Sequence, residues 1–94
     1  MSSIEELSEI FKALSDPSRL KIVRLLAQSK GPLCVNALTA QLGITQSAVS
    51  QHLKILRQNK LVLSERRGYF IHYSLNQTVI DQITDIMNQT LYKK

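Results

Sequence analysis

Between Val35 and Arg57 two short helical patterns meet at a glycine, and this junction constrains the fold more than any other stretch of the chain. The first pattern is Val35-Asn36-Ala37-Leu38-Thr39-Ala40-Gln41-Leu42, the link is Gly43-Ile44-Thr45, and the second pattern starts at Gln46. Gly43 stands where a helix ends in a left-handed residue, and Thr45 can cap the next helix through its hydroxyl. Two helices joined this closely make a helix-turn-helix, a unit whose second helix can enter the major groove of a DNA duplex.

On a 3.6-residue period, Ala48, Val49, Leu53 and Leu56 share one face of the second helix, with His52 and Ile55 at its edges. The opposite face carries Gln46, Ser47, Ser50, Gln51, Lys54, Arg57 and Gln58. Gln and Ser can hydrogen-bond base edges, and Lys and Arg one or two turns later can reach phosphates. A merely solvated helix would more typically mix Glu with Lys, whereas this face has no acid. The expected DNA contacts on the helix are therefore Gln46, Ser47, Ser50, Gln51, Lys54 and Arg57.

Charge is distributed to match. The chain of 94 residues has a formal net charge of +5. From Pro17 to Arg67, nine basic residues face one acid, Glu65, a net of +8, whereas the first sixteen residues carry a net of −3. A basic middle and an acidic start fit a DNA-facing centre and a surface turned away from phosphate. The N-terminus lacks the apolar run of a signal peptide, no segment is apolar enough to span a bilayer, and no basic amphipathic helix with aromatic anchors suggests a membrane surface. One cysteine excludes an intramolecular disulfide, so a cytoplasmic location is expected. No linker or repeat divides the chain, and residues 1–94 are expected to form one small domain.

The remaining elements follow from local signals. Ser3-Ile4-Glu5-Glu6 reads as a capping box opening a helix with Ile4, Leu7, Ile10, Phe11 and Leu14 at helical spacing. Asp16-Pro17 stops it and starts a second, broadly apolar helix through Leu20, Ile22, Val23, Leu25 and Leu26, ended by Lys30-Gly31-Pro32. Leu61–Arg66 and Tyr69–Leu75 read as two strands around an Arg67-Gly68 turn, with Tyr69, Ile71, Tyr73 and Leu75 on the core side. A basic hairpin behind a groove-entering helix is a wing, and Arg66 and Arg67 at its tip are expected to meet backbone phosphate or a minor groove; the alternative is that they keep an exposed edge soluble. A last helix over about 78–92 repeats Val79, Ile80, Ile83, Ile86, Met87 and Leu91. The first and last helices together carry more apolar surface than a small domain is expected to cover. The expected fold is mainly α with a small β-hairpin, a winged helix-turn-helix that dimerises through terminal helices at about 3–14 and 78–92.

The stretch from Phe11 through Ser15-Asp16-Pro17-Ser18-Arg19-Leu20 to Ile22, the run Gln46-Ser47-Ala48-Val49-Ser50-Gln51-His52-Leu53-Lys54, and the segment from Arg67-Gly68 to His72-Tyr73-Ser74-Leu75 resemble, in order, the second-helix entry, recognition helix and wing of the arsenic-repressor (ArsR/SmtB) family. The resemblance covers nearly the whole chain. It implies a dimeric transcriptional repressor, with double-stranded DNA and a second copy as partners, released from its operator by an effector.

The family's metal sites are incomplete here. Where many members place a Cys-x-Cys pair, this chain has Cys34 and then Asn36; its last helix has Asp81 and Asp85 but no histidine. One thiolate is a poor basis for a soft-metal site, so no metal and no cofactor are expected. Cys34 falls at the expected N-terminus of the third helix, where the dipole favours a thiolate, which makes it a candidate redox sensor. The other reading is an inert, half-buried residue at a capping position. His52 and His72 have no catalytic partners, and no phosphate loop, acid pair or nucleophile–base spacing points to an enzyme. A small-molecule or redox effector, constitutive or partner-controlled DNA binding, and an interaction module without DNA binding remain as alternatives.

Overall fold

The computed structural model describes residues 3–93. In chain order the elements are α1 (Ser3–Leu14), α2 (Pro17–Gln28), β1 (Leu33–Cys34), α3 (Val35–Leu42), α4 (Gln46–Gln58), β2 (Val62–Arg67), β3 (Phe70–Leu75) and α5 (Gln77–Tyr92). The molecule is elongated, 48 × 22 × 22 Å.

The helix boundaries follow local chemistry. The Asp16 carboxylate accepts the N–H groups of Ser18 at 2.8 Å and Arg19 at 3.2 Å, and Pro17 takes the first helical position of α2. Gly43 closes α3 at φ 67°, its N–H donating to the Thr39 carbonyl at 2.9 Å. Thr45 Oγ1 then accepts the Ala48 N–H at 3.1 Å to open α4. Ser3 is already inside α1, so the cap position preceding it lies outside the described residues.

At the far end of α4 the sequence gives no glycine, yet the same device appears. The Lys60 N–H donates to the Arg57 carbonyl and the Leu61 N–H to the Leu56 carbonyl, both at 2.9 Å, which is a Schellman closure. Lys60 takes the left-handed position at φ 61°, the only non-glycine to do so among the described residues. Asn76 Nδ2 holds the Lys60 carbonyl at 2.9 Å and fastens this turn to the start of α5.

One apolar cluster joins α1 (Ile10, Ala13), α2 (Ile22, Leu26), α3 (Leu38), α4 (Val49, Leu53, Leu56) and the entry to β2 (Leu61, Val62). α2 contributes less than its composition suggests. Ile22 and Leu26 are buried, but Leu20 is half exposed and faces outward.

The sheet has three strands, in the order β1-β3-β2, all antiparallel. The hairpin alone is legible in the sequence, because β1 is two residues long and shows no alternation. The hairpin turn is also one residue later than expected. Arg67 pairs with Phe70, leaving Gly68-Tyr69 as the two-residue loop, with Gly68 at φ 63° in the first central position. Tyr69 is consequently 96% exposed at the tip and not on the core side; Ile71 is also exposed, and only Tyr73 and Leu75 pack inward.

Two predictions test these local devices. Lys60→Gly should raise stability by about 1 kcal/mol, because the left-handed conformation penalises a Cβ; urea unfolding measures it, and no gain would mean that Lys60 is unstrained. The Asp16 carboxyl lies below its usual pKa: burial raises it, but the Arg19 and Ser18 N–H groups and the nearby His52 and Arg19 charges outweigh that effect. A depressed folded-state pKa stabilises above the unfolded value of about 3.9, and the stabilisation vanishes as pH falls through the folded value. Asp16→Asn should therefore lose less stability on acidification below about pH 4 than the native protein, as followed by thermal melts.

Candidate nucleic-acid interface

α4 divides cleanly between core and solvent. Val49, Leu53 and Leu56 are at most 1% exposed, while Gln46, Ser47, Ser50, Gln51, Lys54 and Arg57 are all exposed. His52 and Ile55 fall between, at the edges of the apolar face. At 13 residues the helix is about 20 Å long, enough to lie along a major groove about 12 Å wide. Gln46 Nε2 lies 3.5 Å from Asn36 Oδ1, and Arg57 Nη1 lies 3.5 Å from Ser64 Oγ on β2. Ser47, Ser50, Gln51 and Lys54 make no side-chain hydrogen bond or ion pair among the described residues, so their polar groups are available to a partner.

The wing cations separate onto opposite faces. Arg66 stands across from Ile71, on the face that holds Ser64 and therefore the Arg57 contact with α4. It has no ion pair among the described residues. Arg67 lies on the other face with Glu65, whose Oε1 it engages through Nε at 2.9 Å and Nη2 at 2.7 Å. The two arginines, equivalent in the sequence, thus differ in what they can offer a duplex.

Arg19 belongs to the basic segment yet turns inward. Its Nε donates to the Ala13 carbonyl at 2.6 Å, Nη2 lies 3.3 Å from the Lys12 carbonyl, and Nη1 lies 3.4 Å from His52 Nδ1. A cation against the last carbonyls of α1 is favourably placed. The guanidinium ties the end of α1 and the start of α2 to the inner edge of α4. Charge counting could not distinguish this role from a phosphate contact.

Cys34 occupies the cap position of α3, with no side-chain capping bond, and is half-buried. Through β1 it stands opposite His72, whose Nδ1 is buried with no hydrogen-bond partner among the described residues. The sequence does not relate these two residues, since the two-residue strand that joins them carries no signal. Among the described residues no group of three or more His, Cys, Asp or Glu is placed to hold a metal ion. Among them, too, no helix is long and apolar enough to cross a membrane.

α5 packs on α1 without burying any side chain fully. Its stripe from Val79 to Met87 is half-buried, and Leu91 is exposed. A shallow apolar groove runs between the two helices, lined by Ile4, Leu7, Phe11 and Leu91.

Residues 16–64 match the family model described as bacterial regulatory protein, arsR family. The transcriptional repressor SdpR of Bacillus subtilis is 39% identical over 83 residues, covering 87% of this chain and 90% of that protein. The arsenical resistance operon repressor of Staphylococcus xylosus is 43% identical over 89 residues, covering 92% of this chain and 84% of its own length. In structure, the chain is similar to the transcriptional repressor BigR from Xylella fastidiosa, with a TM-score of 0.72 and 30% identity over 97% of this chain and 91% of that one. With the helix-turn-helix, the wing and these relatives in agreement, the chain belongs to the arsR family of winged-helix DNA-binding transcriptional regulators, and it is not an enzyme.

Proposed function

We propose that the chain is a homodimeric repressor that binds an inverted-repeat operator in the cytoplasm. The observation that carries this reading is the outer face of α4, exposed, free of acids and largely unpartnered within the chain. Gln46, Ser47, Ser50 and Gln51 occupy the N-terminal half, the part of a recognition helix that contacts base edges. Lys54, Arg57 and the wing arginine Arg66 supply phosphate contacts that fix register without reading sequence, whereas Arg67 is engaged by Glu65.

The dimer is supported by the apolar faces of α1 and α5. Ile4 is 69% exposed and Phe11 47%, both beside the groove that ends at Leu91. Twofold pairing there covers these faces and presents two α4 helices to half-sites about one helical turn, roughly 34 Å, apart. A protein-interaction module is disfavoured, since the outer face of α4 lacks the aromatic and aliphatic anchors of a protein interface.

Effector control has one candidate in the chain, Cys34. Its strand places it opposite His72, whose Nδ1 is buried and has no hydrogen-bond partner among the described residues. Oxidation of the thiol would alter the join between β1, α3 and the wing strand β3. Operator binding that is indifferent to a thiol oxidant, or equally sensitive in Cys34→Ser, would leave a constitutive or partner-controlled repressor.

Fluorescence anisotropy on duplex from the chain's own upstream region and on a shuffled duplex, at two salt concentrations, tests the whole reading. Selective, steeply salt-dependent binding is expected. Equal binding to both duplexes would remove the operator-reading role. Ser47→Ala or Gln51→Ala should cost about 1–3 kcal/mol on the operator and little on the shuffled duplex. Arg66→Ala should weaken both alike and flatten the salt slope; an unchanged slope would take the wing off the phosphates.

A further inference from the structure

Glu65 is the only acid between Asp16 and Asp81, and it stands on the strand that carries the wing's two arginines. Glu65 and Arg67 are two residues apart on β2, so they project from the same face of the sheet as direct neighbours. Two nitrogen atoms of the Arg67 guanidinium, Nε and Nη2, converge on a single Glu65 oxygen at 2.9 and 2.7 Å. The strand register fills the rest of that face with Leu63, Phe70, His72, Ser74 and, through β1, Cys34, so no second carboxylate competes for Arg67 there. Arg66, one residue away on the opposite face, has no counter-ion among the described residues.

We infer that Glu65 restrains the wing: it withholds Arg67 from the DNA backbone and so sets the strength of sequence-independent binding. This rests on the DNA-binding reading of the wing above. With the pair closed, the group Glu65, Arg66 and Arg67 presents one net positive charge; with Glu65 neutral it presents two. Each phosphate neutralised adds about 0.9 to the slope of log affinity against log salt. Both partners are about half exposed, with side-chain exposures of 55% and 54%, and an exposed pair of this kind holds with no more than about 1 kcal/mol. Arg67 can therefore be released by a single change, without disturbing a core. The consequence for function is weaker backbone binding to operator and random duplex alike, while base reading by α4 is left intact.

The test is Glu65→Gln, which keeps size and hydrogen-bonding capacity and removes the charge, measured by anisotropy on the upstream and shuffled duplexes across a salt series. Binding should tighten about fivefold on both duplexes at low salt, with a slope steeper by about one. In Glu65→Gln/Arg67→Gln the gain should disappear relative to Arg67→Gln alone, because the released cation is gone. Three results would overturn the restraint: unchanged affinity in Glu65→Gln; weaker affinity, which would mean that Glu65 presents Arg67 to DNA; or a gain that persists without Arg67, which would mean plain repulsion between the carboxylate and phosphate. Failure of the unmodified protein to bind duplex in a salt-dependent way would strike the repressor reading instead, so the two are separable. Both side chains are exposed, and unchanged thermal melts confirm that the variants compare like with like.

Discussion

The burial of Val49, Leu53 and Leu56 against α1, α2, α3 and the start of β2 is the constraint on which the rest of the molecule depends. Three apolar side chains on one stripe of a 13-residue helix fix its rotation about its own axis, since any turn of the helix would expose them. Fixing that rotation also fixes which residues face outward. The polar set from Gln46 to Arg57 is therefore presented by the packing on the other side of the helix, and Ser47, Ser50, Gln51 and Lys54 within it are held out without side-chain hydrogen bonds or ion pairs among the described residues. A side chain freed from structural duty in this way can meet a base edge without giving up an internal hydrogen bond.

The ends of α4 are fixed by separate devices. Gly43 and Thr45 set its entry, and the Lys60 turn, held by Asn76, sets its exit into β2. Arg19 adds a lateral tie, from the carbonyls of Ala13 and Lys12 to His52. Together these couple the recognition helix to the wing on one side and to the α1–α2 corner on the other. α5 departs from Asn76, so the helix whose apolar face is least covered begins at the residue that closes the α4 exit.

Much of this was legible in the chain. Periodicity identified the core side of α4 residue by residue, because an amphipathic helix long enough for three turns leaves little ambiguity. Asp16-Pro17, Gly43 and Thr45 each performed the capping role that their chemistry predicts. The hairpin was legible but its turn was misplaced by one residue, since a glycine serves either position of a two-residue loop and the flanking Arg67 and Tyr69 carry no preference strong enough to decide. That slip moved Tyr69 from the expected core face to the tip of the wing. The β1 strand was not legible at all, and with it went the apposition of Cys34 and His72.

The basic middle of the chain shows where sequence and structure divide the work. Composition alone determined that a positive surface exists, and helical period determined which polar residues of α4 stand on it. Only the tertiary structure decided which cations are free to use it. Arg19 is spent on helix carbonyls and His52, Arg67 is held by Glu65, and Arg66 is left without a counter-ion among the described residues. The reason is geometric. Charge counting sums along the chain and local periodicity reaches only a few residues, whereas the partner of each guanidinium is set by strand faces and helix ends that come together when the chain folds.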